Sequence, residues 1–504
     1  MFDFPGLLNG FDLAFSLINL LYAFVGALLG TAIGVLPGLG PAATIALLLP
    51  VSYQIGSPVT SIIMMAGVYY GAMYGGSTTS ILLNIPGEAA SVVTCIDGHE
   101  MAKKGRAGAA LGIAAIGSFV AGTIGVLGLT FIAPPLAEIA LRFGPPEYFA
   151  LTVLGLLMAT YLGGGSAIKG LIMVVIGLLM GMIGLDPVSG AVRFTFGNVN
   201  LQGGIDFVTV AMGMFGVGEI FYNLEKAEGV QLVTDRIKNI FPTLADLARS
   251  KWAMLRGSLT GFFVGILPGG GAVLSSLISY ATEKKASKHP EEFGHGAIEG
   301  VAGPESANNA AASSSFIPLL TLGIPGNASI AMIFAALLIQ GVTPGPFLLK
   351  EHPDVFWGVI ASMYIGNAML LVLNLPLVGA WAQLLRVPYA YLAPLIALFT
   401  LIGVYSVNNS TFDIWLMMIT GILGYLMRKL NFEPGPLLLA FVLGPIVERS
   451  LRQSLLLSAG SPAIFFTRPI AGTLMAVAIL FLAGNAWASW RKAGARKAQS
   501  ESFS

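Results

Sequence analysis

The sequence predicts an all-α protein that crosses a membrane many times and is built from two inverted repeats. Three observations lead to this fold class. Of the 504 residues, 55% are hydrophobic and 10% are charged, whereas soluble proteins carry about 25% charged residues. Apolar stretches long enough to span a bilayer recur along the whole chain. A set of Gly- and Pro-containing motifs occurs twice in the same order.

The composition excludes several classes of function. The net charge of +1 argues against a nucleic-acid partner. The single cysteine, Cys95, excludes an internal disulfide, and the four histidines lack metal-ligand spacing, so we interpret them as solvated. No H-E-x-x-H, G-x-S-x-G or P-loop motif is present. We therefore expect no enzyme activity, no cofactor and no resident metal.

Basic residues predict the orientation of the chain. Lys and Arg cluster in five polar groups, which the positive-inside rule assigns to the cytoplasm. The number of membrane crossings predicted between these groups puts all five on the same side of the membrane. The C-terminus is therefore also expected in the cytoplasm. The groups lie within 103–106, 226–256, 284–288, 428–429 and 491–497.

Three pairs of motifs indicate an internal duplication. The first pair is a glycine row ending in Pro-Gly-x-Gly, which runs from Gly26 to Gly40 and recurs 231 residues later. The second is Ile85-Pro86-Gly87 with Ile324-Pro325-Gly326, and the weaker third is Asp186-Pro187 with Glu433-Pro434. An odd number of predicted crossings separates the copies, so the second copy should be inverted, as in many transporters.

These motifs divide the chain into two repeats, a linker and a tail. Each repeat contains a re-entrant helical hairpin, a discontinuous helix and four further helices. The first repeat is 1–224, with hairpin 12–53 and broken helix 58–96; the cytoplasmic amphipathic linker is 225–256; the second repeat is 257–447, with hairpin 257–281 and broken helix 304–340; the C-terminal helix and basic tail are 448–504.

The hairpin tips are the first candidate site. Pro and Gly break a helix because Pro removes a donor and Gly frees the backbone. A helix that restarts inside the membrane points free N–H groups and a positive dipole end at the break, which suits an anion. The alternative is that the glycine rows only allow close helix packing. We assign the tip residues Gly38, Gly40, Gly269 and Gly271 to substrate binding.

The other candidates are polar side chains near the Ile-Pro-Gly motifs, which should interrupt the broken helix of each repeat and are called the second breaks. Such residues inside a membrane are costly and commonly line a pathway, although hydrogen bonding between helices is an alternative role for them. Besides the tip glycines, the predicted substrate-binding residues are Thr79, Asn84, Ser275, Asn308, Asn309, Ser313 and Ser314. The predicted coupling-ion residues are Ser77, Thr78, Glu88, Glu305 and Asn308.

Charged residues leave more than one interpretation open. Glu88 and Glu305 could bind a coupling cation or carry a proton, or they could stabilise helix N-termini. Asp186 and Glu433 are interpreted as helix caps. Outside the cytoplasmic groups, Lys169 is the basic residue that falls inside a hydrophobic run. We therefore expect backbone N–H, Ser, Thr and Asn groups to hold the substrate, without a buried arginine clamp.

These motifs resemble the tripartite tricarboxylate transporter family, in its large membrane subunit TctA. The matching stretches are 34–50, 70–97, 265–271, 303–326 and 341–346. The resemblance implies a secondary carrier in a bacterial inner membrane, which works with a small four-helix membrane subunit (TctB-like) and a periplasmic solute-binding protein (TctC-like). It implies di- or tricarboxylate substrates such as citrate, with sodium or proton coupling.

The resemblance leaves some questions open. Family members also carry aromatic carboxylates, and a homodimer is an open alternative for the assembly. Related proteins of the ion-transporter superfamily move their hairpins as an elevator, which we expect here by analogy. A carboxylate or anion channel is a competing hypothesis. An intramembrane enzyme is another, with Glu88 and Glu305 as its acid–base pair.

Overall fold

The computed structural model is almost entirely helical, which confirms the all-α, multi-pass class. It describes residues 3–36, 40–162, 166–186, 189–225, 237, 239–267, 271–385, 387 and 389–484. The first half contains α1 Phe4–Ala14, α2 Leu17–Val35, α3 Pro41–Ile55, α4 Pro58–Leu83, α5 Thr94–Lys103, α6 Ala107–Ala140, α7 Pro145–Leu162, α8 Ala167–Gly181, α9 Phe207–Ala211 and α10 Gly218–Glu225.

The second half is also helical. It contains α11 Leu244–Ile266, α12 Gly271–Ala286, α13 Glu299–Ser314, α14 Phe316–Leu322, α15 Ala328–Ile339, α16 Leu348–Glu351, α17 Pro353–Asn374, α18 Val378–Leu384, α19 Tyr389–Asn408, α20 Thr411–Lys429, α21 Gly435–Leu457 and α22 Ile464–Thr467, followed by the apolar helix Pro469–Gly484. Within the described residues, five helices are long and apolar enough to cross a membrane by themselves.

Short irregular elements join these helices. A π-helical turn, Met212–Val217, makes α9 and α10 one continuous helix, and 3₁₀ turns lie at Ala89–Val92, Val199–Leu201 and Pro290–Glu292. The strands β1 Gly184–Leu185 and β2 Val192–Arg193 pair antiparallel. This ribbon is a small departure from the all-α prediction.

Two helix pairs pack backbone to backbone, one in each half of the chain: α2 on α4, and α11 on α13. Glycine makes this close approach possible, because an added Cβ would collide with the facing helix. Cβ atoms at Gly26, Gly30 and Gly34 would meet the carbonyls of Met64, Val68 and Ala72, and those at Gly257, Gly261 and Gly265 would meet the backbones of Gly303, Ala307 and Ala311.

The glycine contacts have a common register. Each contacted residue in the second half lies 239 residues after its counterpart in the first half, which is also the spacing between the two Ile-Pro-Gly motifs. This agreement supports the duplication, whereas inversion and the re-entrant path remain predictions. The glycine rows allow the helices to pack closely. For these rows, the packing interpretation considered above is therefore the one that describes the contacts.

The two breaks share one local design. In the first, α4 ends at Asn84 with φ +59°, and Glu88 then caps the following 3₁₀ turn. In the second, α14 ends at Gly323 with φ +68°, and Asn327 caps α15. Each break thus consists of a residue in the left-handed conformation, then Ile-Pro-Gly, then a polar N-cap. Proline cannot continue the first helix, and the side chain of the N-cap accepts a hydrogen bond that stabilises the start of the next one.

Two element boundaries differ from the predicted divisions. Helix α11 begins at Leu244, inside the predicted linker 225–256, because Thr243 and Asp246 form a capping box there. Helix α21 runs through the predicted boundary at 447 as far as Leu457. Residues 226–236 of the linker and 485–504 of the tail lie outside the described residues.

The halves interleave around a shared core. The second hairpin helix of the first half, α3, packs on α15 of the second half. Its counterpart α12 packs on the 3₁₀ turn Ala89–Val92 of the first half. Each hairpin therefore lies against the break of the other half.

Charged groups at the predicted cytoplasmic end hold the segment before α13 in place. Arg249 contacts Glu299 at 2.7 Å and Glu292 at 2.5 Å, and its hydrogen bond to Glu299 raises the pKa of the guanidinium. The buried Asp97 accepts backbone N–H groups at 2.7–2.9 Å from Gly294, Gly296 and Ala297. Asp97 thereby anchors the loop before α13 on α5.

One histidine prediction is wrong. His99 was expected to be solvated but is 7% exposed. Its Nδ1 lies 3.1 Å from the carbonyl oxygen of Ile81. The reason is that α5 packs along α4 instead of extending into solvent.

Candidate substrate and coupling-ion site

Two buried helices, α4 and α13, hold most of the predicted site residues. Residues from Val59 to Leu83 in α4 and from Gly300 to Ser314 in α13 are buried throughout. Both helices are rich in Gly, Ala and Ser, which lets neighbouring helices cover them on several sides. Buried polar groups are costly unless they are hydrogen-bonded, so the partners of these side chains define the site.

Glu305 is the most enclosed of the predicted acids, at 1% exposure. Ser77 Oγ donates to its Oε2 at 2.6 Å, and Thr94 Oγ1 donates to its Oε1. Glu305 lies well inside α13, which begins at Glu299, so it does not stabilise a helix N-terminus. The structure thus brings the predicted pair Ser77 and Glu305 together and adds Thr94.

Glu88 acts as a helix cap, one of the roles considered for it, and also contacts the other half of the chain. Its Oε2 accepts the N–H of Ala90 at 2.6 Å, which caps the 3₁₀ turn. Its Oε1 accepts Asn308 Nδ2 at 3.0 Å, from the other half of the chain. The Oδ1 atom of Asn308 is buried and has no hydrogen-bond partner among the described residues. Asn308 therefore retains a free acceptor beside the break.

A second contact mirrors this one. Asn327 Nδ2 donates to the hydroxyl of Tyr69 at 3.1 Å. Under the register of 239 residues, Asn327 corresponds to Glu88 and Tyr69 corresponds to Asn308. The N-cap of each restarted helix is therefore held by the long buried helix of the other half. The two breaks form one connected site.

Further polar groups surround this pair. Asn309 Nδ2 donates to Ser118 Oγ at 2.7 Å and to the carbonyl of Glu305 at 3.1 Å. Thr79 Oγ1 donates to the carbonyl of Val35, the last residue of α2 before the first hairpin tip. Thr79 thus links the first break to that tip.

The hairpin tips are only partly described. Gly38 and Gly269 lie outside the described residues. Gly40 is the N-cap of α3, and open space lies where its Cβ would be. Gly271 opens α12 with φ +53°. Both described glycines therefore stand at the first turn of a restarted helix, where free N–H groups are found.

Other residues predicted for the site make contacts that do not involve Glu88 or Glu305. Asn84 is the exposed left-handed C-cap of α4. Ser275 and Ser314 bond to carbonyls of their own helices, and Ser314 faces Gly265 in the close packing of α11. Thr78 is buried. For the serines, the packing interpretation describes the observed contacts.

Basic side chains stay away from the two buried acids. Among the described residues, no ion pair involves Glu88 or Glu305. Lys169 lies in the first turn of α8, where its Nζ donates to the carbonyl of Leu430 at 2.6 Å. No described group of three or more His, Cys, Asp or Glu side chains is arranged to hold a metal.

A wide cavity lies elsewhere. It has a volume of about 710 Å³ and is lined by α15, α21 and the ribbon segment. Arg193 and Glu448 pair in its wall at 2.7 Å, and Asp186, predicted as a cap, pairs there with Arg452 at 2.9 Å. None of the predicted site residues lines it.

Sequence reasoning missed Tyr69, Thr94, Ser118 and Asn327. The signal for Asn327 was present, since it follows Ile-Pro-Gly as Glu88 does. Tyr69 could have been found from the same register, as the counterpart of Asn308. Thr94 and Ser118 carry no signal, because their contacts with α13 depend on tertiary packing.

Comparisons with known proteins agree with the architecture. The model of the tripartite tricarboxylate transporter TctA family matches residues 20–439. An Agrobacterium vitis protein, described as an uncharacterized 52.8 kDa protein in the TAR-I ttuC' 3' region, is 54% identical over 470 residues, 93% of each chain. A second protein of that organism, described as an uncharacterized protein in the TAR-II ttuC' 3' region, is 54% identical over 220 residues, 44% of this chain and 91% of its own length.

No solved structure matches the chain. The family match nevertheless spans both helix breaks and both described hairpin helices of each half, as well as the buried acids. A relative is also similar to the chain over nearly its full length. The family match and this relative together show the family of the chain. The protein belongs to the tripartite tricarboxylate transporter TctA family, as a multi-pass membrane subunit of such a transporter.

Proposed function

We propose that this chain carries di- or tricarboxylate anions such as citrate into the cell, driven by a sodium or proton gradient. The observation that carries the proposal is the pair of crossed hydrogen bonds, Asn308 to Glu88 and Asn327 to Tyr69. They join two broken helices, one from each half. Transporters with internal repeats bind substrate and ion at such a junction.

The chemistry of the junction suits an anion together with a cation. The restarted helices α3 and α12 would offer N–H groups and a positive dipole end to a carboxylate. Asn308 would offer its Oδ1 to the coupling cation, because that atom can only accept and makes no hydrogen bond to the described chain. Glu88 and Glu305 would bind or exchange the coupling cation, because neither is neutralised by a described basic side chain.

The assembly proposed around this chain follows the family. A small TctB-like membrane subunit would accompany it in the bacterial inner membrane, and a TctC-like periplasmic protein would deliver the substrate. The C-terminus would be cytoplasmic. We propose that the hairpins and broken helices move together as an elevator, since each hairpin packs on the break of the other half.

Uptake into proteoliposomes tests the proposal. The vesicles would contain this chain and the small subunit, with the binding protein outside and labelled citrate as the probe. Accumulation above equilibrium with an inward sodium or proton gradient, and none without it, is the expected result. Equilibration without accumulation under either gradient would contradict the carrier and support the channel. Binding of an aromatic carboxylate in place of citrate would change only the substrate class.

A further inference from the structure

A very small cavity lies at the junction of α4, α6, α13 and α17. Its volume is about 10 Å³, and side chains from all four helices line it, including Tyr70, Asn309, Ser313 and Asn367. A cavity of this volume has room for one water-sized particle. It lies apart from the carboxylates of Glu88 and Glu305, which do not line it.

The cavity is placed between the two halves. Tyr70 and Asn309 are 239 residues apart, so they hold equivalent positions under the repeat register. Gly122 of α6 faces Asn367 of α17 across the cavity wall, and a Cβ at Gly122 would lie 2.6 Å from Asn367 Oδ1. Glycine at 122 therefore keeps the space open. Ion sites of repeat-built transporters lie at such an interface.

Two buried oxygens in the lining have no hydrogen-bond partner among the described residues. They are Asn309 Oδ1 and the hydroxyl of Tyr70. Buried polar atoms are rarely left unpaired, and each one that is requires an explanation. Asn309 Oδ1 can only accept, so its partner must be a hydrogen-bond donor or a cation.

Most donors around the cavity are already used, the O–H of Tyr70 being the exception among the described residues. The amide of Asn309 donates to Ser118 and to the Glu305 carbonyl, and Ser313 Oγ donates to the Asn309 carbonyl at 3.1 Å.

The same is true on α17. Asn367 Nδ2 donates to the carbonyl of Phe119 at 2.9 Å and to Thr123 Oγ1 at 3.1 Å. Its Oδ1 accepts the Tyr74 hydroxyl at 2.6 Å. What remains toward the cavity is oxygen lone pairs and the O–H of Tyr70. Such an environment favours a cation over water, because a cation needs only lone pairs, whereas the oxygen of a water molecule also needs donors.

We propose that this cavity binds one small monovalent cation of the size of sodium, through oxygens of Tyr70, Asn309, Ser313 and Asn367. No carboxylate lines it, so the charge of a divalent ion would be uncompensated. The site differs from the coupling-ion residues that the sequence predicts. Its role as the coupling site rests on the proposed function, whereas the binding itself does not.

Ion-dependent thermal unfolding tests the binding without any transport assay. The purified full chain would be held in nanodiscs of neutral lipid, with no carboxylate present, and tryptophan fluorescence followed at increasing sodium chloride. Choline chloride would keep the ionic strength constant. A ligand that binds the folded state raises the unfolding midpoint with its concentration. We expect a saturable rise with sodium and a smaller rise with the larger potassium ion.

Tyr70→Phe removes one oxygen and keeps the ring. We expect at least a tenfold increase in the sodium concentration that gives half of the rise. Tyr364→Phe is the matched control, since Tyr364 lies on α17 and bonds to Thr130 of α6 outside the cavity. It should keep the wild-type dependence. If Tyr70→Phe does not fold, Ser313→Ala takes its place.

Two outcomes would overturn the site. Wild-type protein without any sodium-specific rise would mean that the cavity holds water only. Tyr70→Phe with an unchanged sodium dependence would place sodium elsewhere. A saturable sodium rise combined with failed citrate uptake would instead contradict the proposed function and leave this site intact.

Discussion

Replacing Asn308 by alanine should stop transport while leaving the protein folded. In the structure Asn308 makes one hydrogen bond through Nδ2, to Glu88 Oε1 at 3.0 Å, and its Oδ1 is buried without a described partner. Losing a hydrogen bond to a carboxylate costs about 1.5–3 kcal/mol, but removing an unsatisfied buried acceptor restores roughly 1–3 kcal/mol. The two effects nearly cancel, so the free energy of unfolding should change by no more than about 2 kcal/mol.

Uptake should be affected much more than stability, because the carbonyl oxygen and the amide nitrogen of Asn308 both lie at the break where the substrate is proposed to bind. We expect citrate uptake by Asn308→Ala to fall at least a hundredfold in proteoliposomes. Asn374→Ala is the matched control: Asn374 is also buried with an unpaired Oδ1, but it lies on α17 against Thr31. It should retain uptake. Normal uptake by Asn308→Ala, or loss of folded protein in that variant alone, would refute the reasoning.

Three further predictions concern stability; the first two are measured by thermal unfolding in detergent and the third by limited proteolysis. Gly261→Ala should cost about 2–3 kcal/mol through overpacking, because its Cβ would collide with α13; Gly366→Ala, with open space, should not destabilise, and equal effects would contradict the packing. Arg256→Gln should cost about 2–3 kcal/mol, since it leaves the buried Glu283 unpaired; an unchanged midpoint would show that this pair is dispensable. Asp97→Ala should expose the loop before α13 to protease, since three N–H groups lose their acceptor; unchanged cleavage would contradict that anchor.

The sequence alone determined the membrane class, the helical architecture and the helix breaks at the two Ile-Pro-Gly motifs. These features are local, because apolar length decides whether a helix can span a bilayer and Ile-Pro-Gly interrupts a helix wherever it occurs. The same local logic predicted Glu305, Asn308 and Asn309 as site residues, because polar side chains in an apolar helix are costly. The family followed from motifs of this kind.

Only the tertiary structure decided which of these groups meet. Asn308 and Glu88 lie 220 residues apart in the chain, and Asn327 and Tyr69 lie 258 apart, so their pairing depends on how the halves interleave. The burial of His99 and the cavity beside Tyr70 have the same origin. Helix packing places side chains by the shapes of several helices at once, and the pattern of one helix does not contain that information.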